Sequence, residues 1–182
     1  MLNTFMVYVE NKPGVLTRVA SLFRRRAFNI DSLTVGRTEK PEVSRMTITV
    51  DADHDQARRI EANLYKLVNV LLVENITNQS AIVRDLAMIR VAARHEERSH
   101  VLELANVFRA RVVDVAPESL TIEITGAEDK IDGLLELLRP YGVLEMVRTG
   151  IVAMRRGSKS GEVAVRESAV AAAASDDVSY SV

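Results

Sequence analysis

The stretch Asn11-Lys12-Pro13-Gly14-Val15-Leu16 puts a proline and a glycine at the point where a β-like apolar run gives way to a helical pattern. The first backbone N–H groups of a helix have no internal acceptor, and the positive end of the helix dipole adds to their pull on an anion such as a carboxylate. Gly14 has no Cβ, so a ligand can come close to the backbone there. Asn11 closes the preceding strand and Asn29 opens the next one. An asparagine amide both donates and accepts, and two of them suit the carboxylate and ammonium of a small amino-acid zwitterion. The same residues also make an ordinary Pro-Gly turn, and asparagine tolerates left-handed backbone without binding anything. Residue chemistry therefore leaves a ligand site and a plain turn both open.

Other chemistry finds little support. There are no cysteines among the 182 residues, which excludes disulfides, thiolate metal ligands and a cysteine nucleophile. His54, His95 and His100 are scattered and read as solvated surface rather than as a metal site. No GxSxG elbow, P-loop or GxGxxG is present. Arg24-Arg25-Arg26 falls at the end of a helical pattern, where basic residues complement the dipole. With 24 basic and 25 acidic residues the formal net charge is -1, so no global attraction to nucleic acid or to an anionic membrane is expected. No apolar run reaches the roughly 18 residues of a membrane span, and the N-terminus lacks the zones of a signal peptide, so the expected location is cytoplasmic.

The elements that must position these residues follow from the period of the apolar pattern. Strands are expected at 4–10, 29–37, 45–50 and 70–76, and helices at 15–28 and 56–68. That order, βαββαβ, is the ferredoxin-like arrangement of an antiparallel sheet with two helices on one face. After the polar link Asn78-Gln79-Ser80 the same grammar restarts. Strands are expected at 86–92, 111–115 and 120–125, helices at 97–108 and 127–138, and one or two strands within 143–154. The expected class is α+β, with two ferredoxin-like units in tandem at 1–77 and 81–157 and a flexible tail at 158–182. Arg148, Arg155 and Arg156 are candidate contacts for a partner protein.

A longer pattern narrows the reading. VENKPGVLTRVASLFRRRAFNIDSLTVG resembles the N-terminal ACT domain of acetolactate (acetohydroxyacid) synthase small subunits. That pattern is an Asn, two variable residues, Gly-Val/Ala-Leu, an Arg, a Leu-Phe pair and then Asn-Ile-(Glu/Asp)-Ser-Leu-Thr-Val. SRMTITV and LYKLVNVLLV continue the likeness, which covers about residues 1 to 157. It implies a non-catalytic regulatory subunit that homodimerises through its ACT domains. Such a subunit binds and activates the large catalytic subunit, and confers feedback inhibition by valine, or by leucine or isoleucine. It also implies that thiamine diphosphate, Mg and FAD belong to the large subunit and that this chain holds no cofactor. Carried over, the branched-chain effector touches Asn11, Gly14, Val15 and Leu16 of one subunit and Asn29 and Ile30 of the other. Asp31 stands where many relatives have Glu, and Lys12-Pro13 is one of several variants before the glycine. The alternative is a stand-alone ACT-type amino-acid sensor that regulates another enzyme or transcription.

Overall fold

The computed structural model describes residues 1–157, and the expected tail at 158–182 lies outside the described residues. The chain divides into two compact units, the first made chiefly of Met1–Asp31 and Val35–Ser80 and the second of Ala81–Met154 with Ser32–Thr34. Each is an antiparallel α+β unit of the expected βαββαβ order.

In the first unit β1 (Leu2–Glu10), α1 (Val15–Arg25), β2 (Ile30–Arg37), β3 (Val43–Asp51), α2 (His54–Leu64) and β4 (Val70–Asn75) follow one another. The sheet order is β2-β3-β1-β4. Pairing Phe5 with Ile48 and Val7 with Met46 puts large apolar side chains opposite one another on one face of the sheet. Val19, Leu22 and Phe23 of α1 and Ile60 and Leu64 of α2 complete the core, all at 6% exposure or less. The polar positions between them, Arg18, Arg24 and Arg25 among others, stay exposed, as a 3.6-residue period requires.

Three helix ends in this unit differ from the sequence expectation. α1 stops at Arg25 rather than running to Phe28, because Ala27 takes a left-handed backbone (φ 54°). Ala27 N–H then donates to the Arg24 carbonyl and Phe28 N–H to the Phe23 carbonyl, the paired bonds of a Schellman stop. α2 begins two residues before the expected Gln56. Asp53 accepts from Gln56 N–H while the Gln56 side chain accepts from Asp53 N–H, a capping box that fixes the start. It ends at Leu64, and the Tyr65 hydroxyl then donates to the Val73 carbonyl and accepts from the Val73 N–H, bracing the chain against β4.

The second unit contains β5 (Ala81–Ala92), α3 (Arg98–Val107), β6 (Arg111–Val115), β7 (Ser119–Gly126), α4 (Glu128–Leu138), β8 (Val143–Arg148) and β9 (Val152–Arg155). Its order β6-β7-β5-β8 repeats that of the first sheet, and β9 also pairs with β5. β5 starts five residues before the expected Leu86, in keeping with the additional partner strand. The core is Ala87, Ile89, Val91, Leu120, Ile122 and Ile124 of the sheet against Val101, Ala105, Ile131, Leu134 and Leu138 of the helices. α3 ends as α1 does. Arg109 is left-handed (φ 52°), its N–H donates to the Asn106 carbonyl, and the Ala110 N–H donates to the Ala105 carbonyl.

Candidate functional site

The β1–α1 connection is shaped by one backbone conformation. Gly14 caps α1 with φ 81° and ψ -8°, a left-handed geometry that costs an ordinary residue about 1–2 kcal/mol. A Cβ built there meets nothing within 4 Å among the described residues, so the glycine is needed for its dihedral angle. No side chain caps the helix, and its first turn holds no acidic residue. The N–H groups of Leu16 and Thr17 precede the first intrahelical bond, in which Arg18 N–H reaches the Gly14 carbonyl at 3.0 Å. An exposed helix start with free donors, no carboxylate of its own and a bare Cα is a place where an anion can sit on the backbone.

The six expected site residues fall into two groups. Asn11, Gly14, Val15 and Leu16 are together by sequence. Gly14 and Asn11 are exposed, Leu16 is 43% exposed, and the Val15 side chain is buried in the core. Asn11 is already engaged: its Nδ2 donates to the Pro41 carbonyl at 2.9 Å and its Oδ1 accepts from Ser44 Oγ at 3.1 Å. Those bonds lash the loop to the β2–β3 turn and still leave one amide hydrogen and one lone pair unused. Asn29 and Ile30 lie at the other end of α1, beyond its C-terminal stop. An 11-residue helix is about 16 Å long, so within one chain they do not share a pocket with Gly14.

Several residues that hold the loop do not stand out in the sequence. Asn69 is 9% exposed and sits just before β4. Its Nδ2 donates to Glu10 Oε2 at 2.6 Å, its Oδ1 accepts from Arg18 Nη1, and its carbonyl accepts from Glu10 N–H at 2.9 Å. Lys12 Nζ lies 3.2 Å from the same Glu10 carboxylate. The Asn69 amide, aided by Lys12, holds Glu10 below the usual carboxylate range against the opposing effect of burial. The one available signal was a lone polar residue in the apolar run LVNVLLV.

The other charged features are accounted for locally. Arg25 and Arg26 line a cleft with Leu22, Asn63, Lys66 and Leu67. Arg148, a candidate partner contact, is instead tied within its own unit, with Nε 2.7 Å from the buried Asp85 carboxylate and Nη1 2.9 Å from Asp132. His54, His95 and His100 are exposed, and no group of three or more potential metal ligands occurs among the described residues. No helix among them is long and apolar enough to cross a membrane.

Comparison with known proteins covers both units. Residues 5–72 match the family model described as an AHAS small subunit-like ACT domain, and residues 84–157 match the one described as the small subunit of acetolactate synthase. The chain is 52% identical over 159 residues to a probable acetolactate synthase small subunit of Archaeoglobus fulgidus, covering 87% of this chain and 99% of that protein. It is 46% identical over 157 residues to the acetolactate synthase small subunit of Mycolicibacterium smegmatis, covering 86% and 92%. Among solved structures, the acetolactate synthase small subunit of Thermotoga maritima superposes with a TM-score of 0.80 at 40% identity, covering 86% of this chain and 98% of that one.

Proposed function

This chain belongs to the acetolactate synthase small-subunit family, and on that premise we propose that it is the regulatory subunit that binds and activates the catalytic large subunit and subjects it to feedback by a branched-chain amino acid. The observation that carries the effector part is the open start of α1, where Gly14 is left-handed, no acid occupies the first turn and nothing stands over the Cα. The ligand carboxylate lies on the Leu16 and Thr17 amides. The exposed Leu16 and half-buried Ile30 offer apolar walls to an isopropyl or sec-butyl side chain. Asn11 and Asn29 have the donors and acceptors for the carboxylate and ammonium.

The two residue groups meet only if two chains take part. β2 is an edge strand of the first sheet, and no other strand among the described residues pairs with its outer row of backbone donors and acceptors. β1 and β2 each pair antiparallel to β3 in the ferredoxin-like order, so they run the same way, and the start of β2 lies at the far end from Asn11. Pairing β2 antiparallel with the β2 of a second copy brings Asn29 and Ile30 of one chain beside the Gly36-Arg37 end of the other. That is the end at which Asn11 is bonded to Pro41 and Glu42. A two-fold homodimer thus contains two equivalent effector sites, and sensing requires dimerisation.

Catalysis, with thiamine diphosphate, Mg and FAD, belongs to the large subunit in this reading. The small subunit acts through coupling. An effector that prefers the poorly activating arrangement lowers the synthase rate without touching its active site, and a coupling of about 1–3 kcal/mol shifts such an equilibrium about 5- to 150-fold. Calorimetry with valine, leucine and isoleucine, followed by assay of the reconstituted synthase, tests both halves. Binding of at least one of the three, with inhibition by the same one, is expected. A chain that activates the synthase but binds none of them removes the effector site.

A further inference from the structure

Resting on that reading, we infer that Asn69 is the positioning residue of the effector loop, holding its entry strand and exit helix in the relation that makes the α1 amides a site. The loop enters from Glu10 and leaves through the first turn of α1, and a single side-chain amide grips both. Asn69 Nδ2 donates to the Glu10 carboxylate and Asn69 Oδ1 accepts from the Arg18 guanidinium, while the Asn69 carbonyl receives the Glu10 N–H. Arg18 is one turn into the helix, and side chains on a helix lean toward its N-terminus, so this contact bears on the Gly14–Leu16 end.

The amide is asymmetric, and both sides are matched. A carboxylate faces its donor end, and a guanidinium faces its acceptor end. Charge-assisted bonds of this kind are the stronger ones, and the buried setting raises the cost of losing either. Lys12, within the loop, reaches the same Glu10 carboxylate, so the grip extends to the segment that must yield to or close on a ligand. Asn11, bonded to Pro41 and Ser44, fixes the other flank of the loop against the β2–β3 turn. None of Glu10, Arg18 or Asn69 needs to touch the effector. Their role is to hold the donors that do, which is the task of the supporting layer of any binding site.

The test separates positioning from mere stability by using the two ends of the amide. In the full-length chain, Asn69→Leu removes both bonds at similar volume. Valine affinity is expected to fall about 10- to 100-fold, the range seen when supporting partners of metal ligands are removed. Asn69→Asp keeps the acceptor for Arg18 but replaces the donor to Glu10 with a second carboxylate, and at neutral pH, with both ionised, the two repel until a proton bridges them at lower pH. Its affinity is therefore expected to be weak at neutral pH and to recover as the pH is lowered, whereas that of Asn69→Leu recovers at no pH. A ligand-free readout accompanies these. Amide exchange at Arg18 should quicken in Asn69→Leu while Phe5, Val7 and Ile48 stay protected.

Wild-type affinity and wild-type Arg18 exchange in the folded Asn69→Leu chain overturn the inference, as does an Asn69→Asp loss that is the same at every pH. A wild-type chain that binds no branched-chain amino acid overturns the effector reading instead. The exchange measurement then still decides whether Asn69 holds the loop.

Discussion

The turn from β1 into α1 and the turn from β5 into α3 occupy the same place in two copies of one topology, yet their helix starts are built in contrasting ways. In the first, a left-handed Gly14 opens the helix with no cap and no acid in the first turn. The second likewise has no side-chain cap and no acid in its first turn, but Glu97 caps with helical backbone angles (φ -92°, ψ -16°) in place of a left-handed glycine, and Glu96 precedes it. Arg98 then folds back, its Nη2 donating to the Ala116 and Pro117 carbonyls at 2.6 and 2.7 Å and to Ala93 at 3.3 Å. One connection leaves its helix donors exposed. The other uses a guanidinium to gather carbonyls and braces the β5–α3 and β6–β7 connections together. Repeating a fold did not repeat the chemistry, because the binding properties reside in a few loop residues and not in the sheet.

The contrast can be broken most sharply at Gly14. Gly14→Asp puts a carboxylate where the effector carboxylate is proposed to lie, and calorimetry should show binding abolished. The built Cβ clashes with nothing and the backbone strain is about 1–2 kcal/mol, so the chain remains folded. Gly14→Ala carries the strain without the charge and should retain weakened binding. Equal loss in both would assign the effect to the backbone alone.

At the corresponding place in the second unit, Arg98→Ala should lower stability by about 1.5–3 kcal/mol, the worth of a charged hydrogen-bonding group. Denaturant unfolding should record this while the calorimetric affinity for the effector is unchanged. A change in affinity would mean that the second connection participates in sensing after all.

A smaller effect tests what the two units share. Ala27 and Arg109 both hold a left-handed stop after the first helix of their unit. Glycine accepts that geometry freely, so Ala27→Gly and Arg109→Gly should each raise the melting temperature, by about 1 kcal/mol of stability or somewhat less once the added freedom of the unfolded chain is subtracted. A drop at either site would show that the side chain contributes more than its backbone costs.

The smallest expected effect is a pH dependence confined to the first connection. Asn69 and Lys12 hold the folded Glu10 below its ordinary value of 4.5. The stabilisation is therefore fully present above about pH 4.5 and is lost as pH falls through the lower folded value. The melting-temperature gap between wild type and Glu10→Gln should be constant near neutrality and narrow in that acid window. A gap that stays constant to lower pH would remove Glu10 from the network.

Much of the fold is legible in the sequence. Period-two alternation in RMTITV and period-three-and-four spacing from Val15 to Phe23 report burial on a sheet and on a helix, and both elements form where those patterns lie. The helix ends were less legible. Ala27 and Arg109 are not residue types that announce a left-handed stop. Asp53 and Gln56 did carry a capping-box spacing, which sets the start of α2 earlier than its apolar stripe does. In the candidate site, Gly14 and the bare helix start follow from local residue types. Asn69 does not, since it is 59 residues from Glu10 and 51 from Arg18 in sequence.

What the sequence determined by itself was therefore the set of elements, their doubled order and the Pro-Gly entry into α1, because each depends on neighbours within a few residues. Tertiary structure alone decided that Asn11 and Asn29 lie at opposite ends of one unit, that Arg148 is occupied by Asp85 and Asp132, and that Asn69 grips both sides of the loop. Those facts depend on which strands pair and in what register, and long-range pairing brings together side chains whose separation along the chain carries no local signal.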